Sequence, residues 1–196
     1  FPFLVPGAGA IIAGPTGGGR SSLVQACAYD AASLGVRVAY LGSEVTQEEF
    51  SARAAILAGK RADNVDDDLR ERLARVRYLD LTSTTVEAWR SPDRWVRDVV
   101  DRFDVVILDP LSSVAAALDL DFDTSNADFV AFYARLVQPL VTAGVAVPLL
   151  DNIGHDAEAR NRPKGASAKR DCVDLEFAAK LQADPAGLLV TATKVR

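Results

Sequence analysis

Eight consecutive residues carry the most specific chemistry in this chain: Gly14-Pro15-Thr16-Gly17-Gly18-Gly19-Arg20-Ser21. The pattern is G-x4-G followed by a cation and a hydroxyl. It lies between an apolar run, Ala10 to Ala13, and a stretch that reads as a helix from Ser21 to about Leu34. Glycines reach the φ values that turn backbone N–H groups inward, and a helix N-terminus adds partial positive charge. The segment is therefore suited to cradle phosphate, with Gly14 to Ser22 as candidate nucleotide-binding residues and the Ser21 hydroxyl as a candidate Mg2+ ligand. Arg20 stands where this motif has Lys. Charge is kept, but a compact ammonium becomes a larger planar fork. Nucleotide binding is expected to survive the exchange; hydrolysis is the step it puts in question.

Two acids extend the site. Val105-Val106-Ile107-Leu108 ends in Asp109, the Walker B pattern, in which a strand-terminal carboxylate holds Mg2+ or its water shell. A strand-terminal Asp that merely caps the next turn is the competing use. Glu44 closes YLGSE after the second strand. Ligands of such sheets bind at the carboxyl ends of strands, which places Glu44 to polarise an attacking water.

These residues need a scaffold, and the sequence supplies one. The chain has 196 residues, 49% apolar and 25% charged, which suits a single α/β domain over 1–196 with an ordinary core. No apolar stretch reaches the 18 or so residues of a membrane span. One His and two distant Cys leave no usual zinc set and no disulfide scaffold. The net charge of −5 means that any nucleic-acid contact must come from a local patch. The chain has no Met and opens on Phe1-Pro2-Phe3, so trimmed ends are expected, and a cytoplasmic setting is the expectation for the protein.

Strand-like runs alternate with helical ones, which predicts a mostly parallel sheet flanked by helices. Strands are expected at Val36 to Leu41, Val76 to Leu79, Val105 to Leu108 and Val145 to Leu150. Leu175 to Leu181 and Leu188 to Val195 read as a terminal hairpin. Thr46 and TQEE read as a capping box opening a helix to about Ala58, and Gly35 as the end of the helix before it. Asp66 to Arg75 is charged and helical. Ser91-Pro92 opens a helix to Arg102. Asn126 to Ala143 carries Phe129, Phe132, Tyr133, Leu136, Val137 and Leu140 at helical spacing, a core stripe.

Taken together, the phosphate loop, Glu44, Asp109 in LDPLS and the terminal Lys194-Val195-Arg196 resemble a RecA-type P-loop ATPase core. The likeness is nearest to the DnaB-like and RepA-like hexameric replicative helicases of plasmids and phages. The resemblance spans nearly the whole chain. It implies ATP and Mg2+ as ligands, Glu44 as the catalytic glutamate and Arg53 as a contact to the nucleotide base. Asn152 falls at the polar sensor position that meets the γ-phosphate, where the family often has His or Gln. Lys194 and Arg196 match a K-x-R motif whose cations reach a neighbouring subunit's site, which implies a homo-oligomeric ring, a hexamer.

Arg160, Arg162, Lys164, Lys169 and Arg170 form the one basic cluster of an acidic chain. The resemblance puts them on the loop that lines a central channel and touches single-stranded DNA, through phosphates and without stacking. A solvated loop balanced by Asp156, Glu158, Asp171 and Asp174 is the competing reading. A second loop, Leu118 to Ser125, is acidic and would repel a nucleic-acid backbone. Three functions stay open: an ATP-driven motor on single-stranded DNA, a nucleotide-binding switch with little turnover because of Arg20, and a small-molecule kinase. The K-x-R ending and the lack of an Arg-rich lid weigh against the last.

Overall fold

The first apolar run becomes β1 (Gly9–Gly14), and the glycine-rich loop leads into α1 (Arg20–Ser33). β2 (Val38–Gly42) and α2 (Gln47–Leu57) follow, then β3 (Val76–Asp80), α3 (Leu81–Arg90), α4 (Pro92–Val100), β4 (Val105–Asp109) and α5 (Leu111–Leu118). α6 (Asn126–Phe132) passes through a π turn (Tyr133–Val137) into α7 (Gln138–Thr142). β5 (Val147–Asn152), the short α8 (Ala168–Cys172), β6 (Leu175–Gln182) and β7 (Gly187–Val195) complete the chain. The structure, a computed structural model, describes residues 1–57, 74–153, 167–182 and 187–195. The charged helix expected over Asp66 to Arg75 lies almost wholly outside the described residues.

The seven strands of the described residues join one sheet in the order β3-β2-β4-β5-β1-β6-β7. Every neighbouring pair is parallel except β6 and β7, the expected hairpin. Helices cover both faces, which is why β1, β2 and β4 are buried along their whole length and read as unbroken apolar runs. Alternate residues feed two cores. Ala10, Ile12, Val38, Tyr40, Val105 and Ile107 face α1 and Phe50 of α2. Ile11, Ala13, Leu41, Val106, Leu108 and Leu149 face the helices from α3 to α7.

Thr46 and Glu49 cap each other: the Thr46 N–H donates to Glu49 Oε2 at 2.8 Å, and the Glu49 N–H to Thr46 Oγ1 at 3.2 Å. Gly35 ends α1 with φ +93°. Ser91 precedes α4 with Pro92 at its first turn, but the Ser91 side chain makes no capping bond. The long helix is interrupted where Pro139 has no N–H for the Arg135 carbonyl, and the π turn precedes it. All six residues of its expected stripe are buried. α3 and α5 were not anticipated. α3 opens Leu-Thr-Ser-Thr-Thr-Val, in which all but Leu are weaker helix formers, and forms because the Asp80 carboxylate accepts the Ser83 N–H at 2.8 Å while Leu81 and Ala88 are buried. Among the described residues no helix is long and apolar enough to cross a membrane.

Gly42, at the end of β2, is a close-approach position. A Cβ there would meet Tyr78 Cε2 at 2.7 Å and its hydroxyl at 2.9 Å, and that hydroxyl donates to the Val45 carbonyl at 2.5 Å. The ring therefore has little room to retreat. Gly42→Ala is expected to destabilise the fold by about 1–3 kcal/mol, read as a lower midpoint of denaturant unfolding with an unchanged slope.

Candidate nucleotide site

The sheet order brings the candidate residues together. β5 is inserted between β4 and β1, and Gly14 pairs in register with Asn152. The sensor candidate therefore lies beside the phosphate loop although most of the chain separates them. The loop itself is closed by the Gly18 N–H donating to the Pro15 carbonyl at 3.0 Å. Gly17 and Gly19 have φ of +73° and +80°, left-handed values that disfavour any side chain. Gly19 is the N-cap of α1 and no side chain caps that helix, so its first-turn N–H groups remain for an anion.

Arg20 is the centre of the site and only 8% exposed. Its Nη2 donates to Asn152 Oδ1 at 2.8 Å, and Thr16 Oγ1 donates to the same oxygen at 3.3 Å. Nη1 is buried and has no hydrogen-bond partner among the described residues. Burial pushes the Arg20 guanidinium down, opposed by Asp109, Asp151 and Glu44. Arginine does not give up its proton in proteins, so a buried, half-paired guanidinium is a standing demand for an anion. The phosphate of a nucleotide fits that demand.

Asp109 ends β4 opposite Gly42 and is 7% exposed. Its peptide bond to Pro110 is cis. Burial pushes the carboxyl up, while the Tyr40 hydrogen bond, the nearby Ser21 hydroxyl and the charges of Arg20 and Arg53 pull it down. Among the described residues no group of three or more His, Cys, Asp or Glu is placed to hold a metal ion. A divalent cation here would thus take Ser21, Asp109 and oxygens of its ligand, the hard and largely ligand-borne set that Mg2+ accepts.

Pro15 to Ser22, Glu44, Arg53 and Asn152 line one cleft of about 600 Å3. Glu44 and Arg53 are exposed at its margin. Ile56, which sequence reading did not single out, lines the same cleft at 73% exposure, one helical turn beyond Arg53. Arg53 and Ile56 are spaced three apart, the interval that puts two side chains on one face, and this was the available signal.

Other assigned residues are placed differently. Lys169 is withdrawn from the DNA-contacting set: it is 2% exposed, with Nζ 2.8 Å from Asp151 Oδ2 and 3.7 Å from Asp123 Oδ1. A buried lysine paired with two acids offers nothing to a nucleic-acid backbone. The acidic loop is likewise used internally. Asp121 accepts the N–H groups of Asp123 and Thr124, and Asp128 that of Asp121. Arg170 is half exposed, with Nη2 donating to the Thr193 carbonyl at 3.2 Å and Nε 3.6 Å from the buried Glu176. Lys194 is not a free finger: its Nζ donates to the carbonyls of Arg170 and Val173, the latter at 2.7 Å, and closes the end of α8. The ladder slips by one residue between Glu176 and Phe177, where β7 bulges. Arg160, Arg162, Lys164 and Arg196 lie outside the described residues.

A family model for the AAA domain matches residues 2–158. No curated protein matches the chain. Among solved structures, a RadB recombinase aligns with a TM-score of 0.67 at 18% identity, over 98% of this chain and 83% of that one. A KaiC-like protein from Pyrococcus horikoshii aligns at 0.68 and 16% identity, over 100% and 85%. The flagellar accessory protein FlaH from Methanocaldococcus jannaschii aligns at 0.61 and 16%, over 98% and 80%. At these identities the likeness is one of fold. With the family match and the cleft, the conclusion is that this chain belongs to the AAA domain family and has the fold of a RecA-type P-loop ATPase.

Proposed function

We propose that the protein binds ATP with Mg2+ in this cleft and hydrolyses it as a subunit of a homo-oligomer. In this reading the oligomer is a DnaB-like hexameric ring acting on single-stranded DNA in replication or recombination. The observation that carries the reading is Arg20, a buried guanidinium whose Nη1 has no partner among the described residues, at the N-terminus of a helix that no side chain caps. The loop N–H groups and Arg20 hold the phosphates. Ser21 and Asp109 hold Mg2+, which when bound neutralises charge on the phosphates. Glu44 orients and deprotonates the attacking water, and Asn152 marks the γ-phosphate position. Arg53 and Ile56 flank the base.

The ring and DNA parts rest on the sequence resemblance and on the likeness to a protein named a recombinase. The same fold also serves a flagellar accessory protein and a KaiC-like protein, so fold alone does not choose the task. With Lys169 and Lys194 engaged in their own chain, DNA contact falls to Arg160, Arg162, Lys164 and Arg170, and the finger in trans to Arg196.

The switch reading has its own support, because Arg20 spends one nitrogen on Asn152. ATP turnover with and without single-stranded DNA separates the two. The motor reading expects turnover that rises several-fold with DNA and a ring-sized species on ATP addition. Turnover indifferent to DNA would sink the DNA assignment. Tight binding with no turnover in either condition would favour the switch.

A further inference from the structure

Tyr40 is a buried polar side chain bonded to Asp109 that the phosphate chemistry leaves unused. It lies on β2 two residues before Gly42, on the face shared with Ile107 and α1. Its hydroxyl donates to Asp109 Oδ2, and both side chains are buried, at 3% and 7% exposure. Ser21 lies close enough to the same carboxylate to hold its pKa down. The far side of the ring is clamped: its centroid is 4.7 Å from Phe50 and 6.5 Å from Tyr78, nearly parallel to the latter at 19°. Phe50 is held in turn, its carbonyl accepting Gln25 Nε2 at 2.8 Å. The phenol oxygen is therefore fixed from both sides. The terminal torsion of an Asp side chain is broad and soft, and a fixed donor on one oxygen removes that freedom.

We infer that Tyr40 is a positioning residue for the divalent cation, its hydroxyl holding Asp109 by Oδ2 so that the rest of the carboxylate is presented beside Ser21. The inference rests on the nucleotide reading above and adds a residue to it. It concerns orientation and not packing. Phenylalanine at this position keeps the ring and its aromatic neighbours and loses only the donor. Partners of metal-holding groups typically contribute 10–100-fold to metal affinity, so the loss falls on Mg2+ dependence and not on the nucleotide itself.

The test is titration of a fluorescent ATP analogue across Mg2+ concentrations and in EDTA, on the full chain and its Tyr40→Phe, Asp109→Asn and doubly substituted forms. Tyr40→Phe is expected to match the parent protein within about twofold in EDTA and to need at least about tenfold more Mg2+ for half-maximal tightening. Adding Tyr40→Phe to Asp109→Asn is expected to change nothing further, because the carboxylate it positions is gone. An unchanged Mg2+ requirement would overturn the inference. So would an equal loss of affinity with and without Mg2+, the mark of a packing role. A parent protein that binds no nucleotide at all would overturn the site reading as well, an outcome distinct from a Tyr40 variant that behaves like its parent.

Discussion

Arg20→Ala is expected to weaken Mg2+-ATP binding by about 100-fold, the loss of two charge-assisted hydrogen bonds to phosphate at about 1.5 kcal/mol each. The reasoning starts from burial. Arg20 sits under the loop with Nη2 on Asn152 and Nη1 bare, and phosphate is the missing partner. The alanine form loses a guanidinium that the empty protein does not fully satisfy, so its thermal unfolding should shift little while its affinity falls. Arg20→Lys makes the complementary prediction. The ammonium keeps the charge but loses the fork that reaches Asn152. Binding should stay within about tenfold of the parent by one charge-assisted bond, and turnover should not fall, because Asn152 is released toward the phosphate. Calorimetric titration of the three proteins checks both statements. An alanine form that binds like its parent would mean that no phosphate meets Nη1.

Glu44→Gln is expected to lower ATP turnover by about 10²–10⁴-fold while leaving affinity within about twofold, the range for loss of a positioned general base. Glu44 is exposed at the cleft margin, so the isosteric amide should not disturb the fold. Phosphate release at saturating ATP, beside nucleotide affinity, measures it. An equal fall in affinity and turnover would make Glu44 a binding group instead.

Much of this was legible in the sequence, and the reason is physical. β1 and β4 are buried on both faces, so Ala10–Ala13 and Val105–Leu108 show as unbroken apolar runs. The phosphate loop is local in sequence, so its spacing carries its geometry. Thr46 and Glu49 are likewise neighbours that satisfy each other. What escaped depends on partners far along the chain. Nothing in Ala168-Lys169-Arg170 says which cation is buried. Asp151 decides it by arriving at the end of β5, and the Lys194 ammonium is captured by α8 in the same way. Tyr40 looked like one more β2 core residue because its hydroxyl partner lies on another strand. α3 was hidden by threonines whose weak helix preference is overridden by the Asp80 cap and the burial of Leu81.

The site turns on one claim, that the cleft holding Arg20 is a nucleotide pocket. Calorimetric titration of the unmodified protein with ATP in excess Mg2+ tests it most directly. Saturable one-to-one binding in the micromolar range, weakened when Mg2+ is chelated, is the predicted result. No saturable heat up to millimolar ATP would contradict it, and would leave the buried guanidinium of Arg20 without the anion its surroundings call for.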